Sequence, residues 1–218
     1  MTPSTWYEGR TSLDLLQEDG WAWIGLRSTD GLNRLHSDLL MALDRLFIEL
    51  RWAGVRRVAL SGAGWMMGRG HHFSAGADLH EVGSLTAVTA DPFARRGQRV
   101  MDHLLWRGWR SLTLISGVAM GGGCDLALHG QERWAVTAHP DGKGGLRMAH
   151  PAAKHGILTG FGGTVRLPDI LGQEGADRLF RKFETWDEHA ALAAGAIHRL
   201  VAPCEAEAAM KLWLDPAL

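Results

Sequence analysis

The sequence predicts an α/β fold with a largely parallel sheet. Short apolar runs of strand length alternate with stretches whose apolar residues recur at helical spacing, and glycine-rich segments follow the strand-like runs instead of breaking them. With short connections between such elements, right-handed crossovers are the expected topology. No stretch has the composition of an interdomain linker, so the 218 residues read as one domain able to bury a single core.

Trp21 to Leu26 (WAWIGL) is short, apolar and bounded by Gly20 and Ser28, which predicts a strand. A helix should follow, because Leu35, Leu39, Leu40, Leu43, Phe47 and Leu50 share one helical face and Gly54 supplies a stop. Val58, Ala59 and Leu60 make a second buried strand ending at Ser61 and Gly62. Residues 61–78 carry five glycines and predict an irregular segment. Phe93 to Trp109 has helical spacing again and leads into a strand at Leu112 to Ile115. Gly121, Gly122 and Gly123 then open a predicted helix, CDLALHG, before a further strand at Trp134 to Val136. Helices are predicted at Gln173 to Phe183 and at Asp187 to Ala194, the second closed by Gly195. The ten tryptophans have no individual explanation at this level.

Composition removes several classes of function. A net charge of -1 and a pI near 6.8 give no global attraction to nucleic acid or to an anionic membrane, and basic pairs such as Arg56-Arg57 are short. No apolar run approaches the roughly 20 residues of a membrane-spanning helix. Cys124 and Cys204 cannot form a disulfide framework and no signal-peptide pattern opens the chain, so a cytoplasmic protein is expected. Eleven histidines occur without H-E-x-x-H or paired-cysteine spacing, so no metal site is expected. The run from Ser61 to Gly68 imitates a dinucleotide-binding turn, but no helix follows where one is needed, and no G-x-S-x-G elbow is present.

The chemistry concentrates in two glycine-rich loops, each following a strand, the second opening a helix. That arrangement turns backbone N–H groups toward an anionic ligand atom. The segments HFSAGADLHE (His72 to Glu81) and SGVAMGGGCDLAL (Ser116 to Leu128) resemble the two signature loops of the crotonase, or enoyl-CoA hydratase/isomerase, superfamily. GILTGFGGTVRLPDILG (Gly156 to Gly172) is a third match in the same order, and the likeness extends more weakly from about Trp21 to Val201. The resemblance implies a spiral of β-β-α units, an acyl-CoA substrate with no other cofactor, and a homotrimer or hexamer. It implies an oxyanion hole made by the N–H groups of Ala77 and Gly122, and coenzyme A contacts at Phe73, Ala75, Gly76 and Gly121. Asp78, before an apolar helix start, reads instead as an N-cap.

Hydratases of that family use two glutamates. Here the first position is Asp125 and the second falls at Ala152, which can neither donate nor accept a proton. Asp125 lies three residues after Gly122, one helical turn from it, and is the leading acid/base candidate, although a capping role is an alternative. His150 and His155 flank the vacant position and are candidate substitutes, since histidine titrates near neutral pH. Extra residues in GWMMGRGHH and around HPDGKGG should be loops at the pocket rim. Relative to the family, residues 1–200 read as the core and 201–218 as a short tail in place of the C-terminal helices. Two other readings stay open: a non-catalytic binding or partner subunit, and a thioester or C–C bond hydrolase of the same fold.

Overall fold

In the computed structural model, which describes residues 2–67, 72–138 and 144–215, the chain opens with an antiparallel meander. Its strands are β1 (Ser4–Tyr7), β2 (Thr11–Glu18) and β3 (Trp21–Ser28). The later strands are β4 (Arg57–Gly62), β5 (Arg110–Ile115), β6 (Val118–Met120), β7 (Glu132–Val136), β8 (Arg147–Ala149) and β9 (Arg199–Val201). The main sheet runs β1-β2-β3-β4-β5-β7-β9 and is parallel from β3 onward, while β6 and β8 form a separate parallel pair. The helices are α1 (Ser37–Trp52), α2 (Leu79–Gly83), α3 (Ala87–Leu104), α4 (Gly122–Leu128), α5 (Gly163–Phe180), α6 (Glu188–Ala193) and α7 (Ala206–Leu214). The expected mixed α/β architecture is present.

Both faces of the central strands β3, β4, β5 and β7 are buried, which is why they read as near-continuous apolar runs. Along β3, Ala22, Ile24 and Leu26 point into one core with α1, α3 and α4, while Trp21 and Trp23 point into another. That second core accounts for four of the tryptophans: Trp21, Trp23, Trp65 and Trp134 pack with Leu112, Leu114 and Val136. Burying an indole leaves an N–H to satisfy. Trp23 donates to Ser61 Oγ at 2.8 Å and Trp65 to Ser116 Oγ at 2.8 Å. Helix α7, within the segment expected as a tail, covers this face with Ala206, Met210 and Leu214.

Two helices differ from their predicted bounds. α3 begins six residues early, where Thr86 and Thr89 form a reciprocal capping box, and it ends at Leu104 rather than near Trp109. Trp106 and Trp109 lie beyond it, and the Arg51 guanidinium sits 4.4 Å and 5.1 Å from their ring centres. α5 begins at Gly163, ten residues before the predicted start, with a break at Gly172 (φ 70°, ψ 166°); the predicted helix is its second half. Of the two expected insertions, residues 68–71 and 139–143 lie outside the described residues. The second has a firm base: Glu188 accepts hydrogen bonds from Ala138 N at 2.9 Å and from Leu146 N at 3.0 Å.

Candidate functional site

The first glycine loop is held from three sides by its own backbone. Phe73 N donates to Ser116 O, Ser74 N to Val118 O, Ala75 N to Leu32 O, Gly76 N to Ser74 Oγ and Asp78 N to Leu35 O. Ala77, which is half-buried, is the one residue of 73–78 whose N–H has no partner among the described residues, so this amide is open to a ligand. The second loop supplies the group it faces. Met120 N donates back to Ser74 O at 3.0 Å, which locks the loops together, and the first amides of α4 have no partner among the described residues, as at any helix start.

The three glycines have different duties. Gly121 takes the left-handed backbone (φ 51°) that turns the chain into α4. A Cβ on Gly123 would lie 2.4 Å from Ser74 O, and one on Gly122 would lie 2.7 Å from the Phe161 ring and 3.7 Å from Ala77 N. Close packing and an open pair of amides thus occur together at one place, with the helix dipole adding positive potential there. Asp78 caps α2 by accepting from His80 N and Glu81 N, as expected, and pairs with Arg10 at 2.9 Å.

Asp125 stands one turn along α4 and is 0% exposed. Its Oδ2 accepts the hydroxyl of Thr159, and its Oδ1 lies 3.4 Å from His150 Nε2. His150 is 3% exposed, with its ring centre 4.4 Å from that of Phe180. At 3.4 Å the contact is within ion-pair range but longer than a charge-assisted hydrogen bond of about 2.8 Å. Burial raises the Asp125 carboxyl to about 7, against a smaller lowering by Thr159, and burial lowers His150 to about 4. Of the two groups the carboxyl is therefore the one that titrates near neutral pH, beside an imidazole that stays neutral there.

Another buried histidine, His129, contributes to the expected acid sensitivity. His129 Nδ1–H donates to the Asp125 carbonyl at 2.6 Å, its Nε2 is buried without a partner among the described residues, and burial lowers it to about 4. A depressed histidine contributes stability above its unfolded pKa of 6.5, and that stability is lost as pH falls toward 4. For His129 the full loss is about 3 kcal/mol. Asp125 and His150 add little slope over this range, because the pair holds one proton folded and one proton unfolded between about pH 4 and 6.5. Urea unfolding at pH 7 and pH 4.5 should show the decrease, and His129→Gln should reduce it, with His36 and His103, also lowered by burial, supplying the remainder. Superimposable pH dependences would remove His129 as the cause.

The other predicted residues divide clearly. Ala75, Gly76 and Gly121 lie on the two loops, whereas the Phe73 side chain is fully buried in the main core. His155 is exposed at the end of a 3-10 turn, Pro151–His155, that also carries the half-buried Ala152, and it makes no contact with Asp125. Thr159, Phe161 and Gly163 were not singled out from sequence, although the motif containing them was. A cavity of about 250 Å³ adjoins the first loop, lined by Arg10, Arg34, His36 and Asp78 among others. Another of about 270 Å³ opens beside Trp65, His72, Ser116 and Thr137. Among the described residues, no three His, Cys, Asp or Glu side chains are grouped to hold a metal ion, and no helix is long and apolar enough to cross a membrane.

Residues 21–214 match the family model described as enoyl-CoA hydratase/isomerase. A short-chain-enoyl-CoA hydratase of Clostridium acetobutylicum is 29% identical over 193 residues, covering 88% of this chain and 69% of that protein. A crotonyl-CoA hydratase of Syntrophomonas wolfei subsp. wolfei is 27% identical over 192 residues, with 88% and 69% covered. The solved structure of Pseudomonas aeruginosa DspI superposes with a TM-score of 0.80 at 29% identity, covering 93% of this chain and 72% of that one.

Proposed function

Because this chain belongs to the enoyl-CoA hydratase/isomerase family, we propose that it acts on an enoyl-CoA through a thioester enolate whose oxygen is held by the N–H groups of Ala77 and Gly122, while Asp125 carries the proton. The observation that carries this reading is the open Ala77 amide, set against the first amide of α4 with a carboxyl one turn further along. Preorganised donors of this kind act where charge develops, and each is worth about 2.7 to 4 kcal/mol in the transition state. A carboxyl raised to about 7 is suited to take and return a proton near neutral pH.

One carboxyl suffices to move a double bond: Asp125 removes a proton from carbon next to the developing enolate and delivers it elsewhere on the chain. Hydration by two carboxylates has no second partner at Ala152, so any addition of water relies on Asp125 with His150 beside it. Because Asp125 is sealed from solvent, the acyl group reaches it only when side chains packed over it move aside. That seal also favours a second reading, a subunit that binds thioesters without turning them over.

A panel of 2-enoyl- and 3-enoyl-CoA thioesters of increasing chain length separates these readings. At least one should raise the melting temperature and be isomerised or hydrated. A rise in melting temperature without turnover would leave the binding reading, and release of free coenzyme A alone would point to thioester hydrolysis. If no thioester shifts the melting temperature or reacts, the proposal fails.

A further inference from the structure

We propose that Thr159 is a positioning residue for the proton carrier: its hydroxyl holds Asp125 Oδ2 as an acceptor, so that the proton in transit is confined to Oδ1, the oxygen facing His150. The inference rests on the reading of Asp125 given above and extends it to a residue 34 positions away, on the approach to α5.

A single hydroxyl can give one proton and accept others. Thr159 Oγ1 accepts from Phe161 N at 3.2 Å, so a lone pair is occupied and its hydrogen is directed at Oδ2. Oδ2 then has no need of a proton, and the carboxyl hydrogen, when present, belongs on Oδ1. Oδ1 receives no hydrogen bond in the described structure and lies 3.4 Å from His150 Nε2. It also fits a space that only glycine leaves, since a Cβ on Gly163 would come within 2.0 Å of it. One oxygen is thus fixed and the other is free to react. During turnover the substrate C–H bond breaks with its electrons left in the enolate, the proton forms an O–H bond at Oδ1, and the same proton returns from Oδ1 to carbon. Thr159 keeps its own hydrogen throughout.

The titratable groups around Asp125 are few. Cys124, a buried thiol pushed up by desolvation, is on α4 itself, His129 closes that helix, and His150 faces Oδ1 from before the 3-10 turn. Asp102 on α3 and Arg166 on α5 pair with each other and face His129 rather than the Asp125 carboxyl. The hydrogen bond from Thr159 is the one that favours the carboxylate, so its removal should raise the carboxyl further and move the acidic limb of the rate profile to higher pH.

The test uses the full chain with an enoyl-CoA that it turns over. Thr159→Val should lower kcat by about tenfold to a hundredfold with little change in KM and move the acidic limb up by about one pH unit. Thr159→Ser, which restores the hydroxyl, should return both toward the original. Gly163→Ala, with Thr159 intact, should lower kcat by displacing Oδ1. Should Thr159→Val not fold, Thr159→Ala replaces it, and a carbon-13 titration of the Asp125 carboxyl, assigned with Asp125→Asn, reads the same shift without turnover. A Thr159 variant that folds and titrates like the unaltered protein overturns the proposal while Asp125 remains essential. An Asp125→Asn variant with full rate overturns the underlying reading instead.

Discussion

Replacing Asp125 by asparagine should lower enoyl-CoA turnover by about 100- to 10,000-fold while thioester affinity stays nearly the same. Asparagine preserves the shape of the buried side chain, and its amide oxygen can still accept the Thr159 hydroxyl, so the packing against Gly163 has no reason to change. What is lost is the ability to take up and return a proton. The two loop amides are on other residues and are untouched, so binding and melting temperature serve as internal controls. The measurement is kcat and KM for the unaltered chain and the variant at several pH values, together with thioester dissociation constants. His150 provides the competing outcome: if Asp125→Asn keeps its rate and His150→Ala abolishes it, the proton carrier is the imidazole.

Those residues differ in how readily the sequence reveals them. The glycine loops are local: five consecutive or nearly consecutive residues carry the turn, the close approach and the open amide, and composition marks them. Strands β3, β4, β5 and β7 and helix α1 are similarly plain, because burial on both faces or on one helical face leaves an unbroken apolar pattern. β2 lacks that pattern. It buries Thr11, Ser12 and Asp14, and Asp14 is tolerated there through an ion pair with Arg27 at 2.8 Å from the next strand. Nothing near Asp14 in sequence announces that partner.

The same reasoning explains α7 and the seat of Asp125. Ala206, Met210 and Leu214 recur every four residues, a helical spacing available to inspection, but the segment is short and only the tryptophan-lined face of the sheet gives it something to cover. Thr159 and Gly163 act on Asp125 across a long separation in sequence, and the residue types alone, a threonine in a glycine-rich turn, suggest a loop. His155 looked equivalent to His150 because both flank Ala152. The 3-10 turn separates them, one into the core and one into solvent.

Gly76→Ala is the second change expected to have a large effect, and it tests the paired amides instead of the carboxyl. Gly76 adopts φ +91°, and a Cβ there would lie 2.3 Å from Met120 O and 3.3 Å from Gly122 N. The first clash is with backbone and cannot be relieved by rotating a side chain. Met120 is itself tied to Ser74 through its N–H, and the Gly76 carbonyl is tied to Leu35, so the strain must be taken up by separating the two loops. The left-handed conformation adds roughly 1–2 kcal/mol and overpacking about 1–3 kcal/mol, for a stability loss on the order of 2–5 kcal/mol. Separation moves the Ala77 and Gly122 amides apart, and losing one effective donor should lower kcat by about 100- to 1,000-fold in the molecules that remain folded. Urea unfolding measures the first effect, and turnover normalised to the folded fraction at low temperature measures the second. A variant that loses stability but keeps its normalised rate would show that the loop junction matters for folding and that the thioester oxygen is held elsewhere.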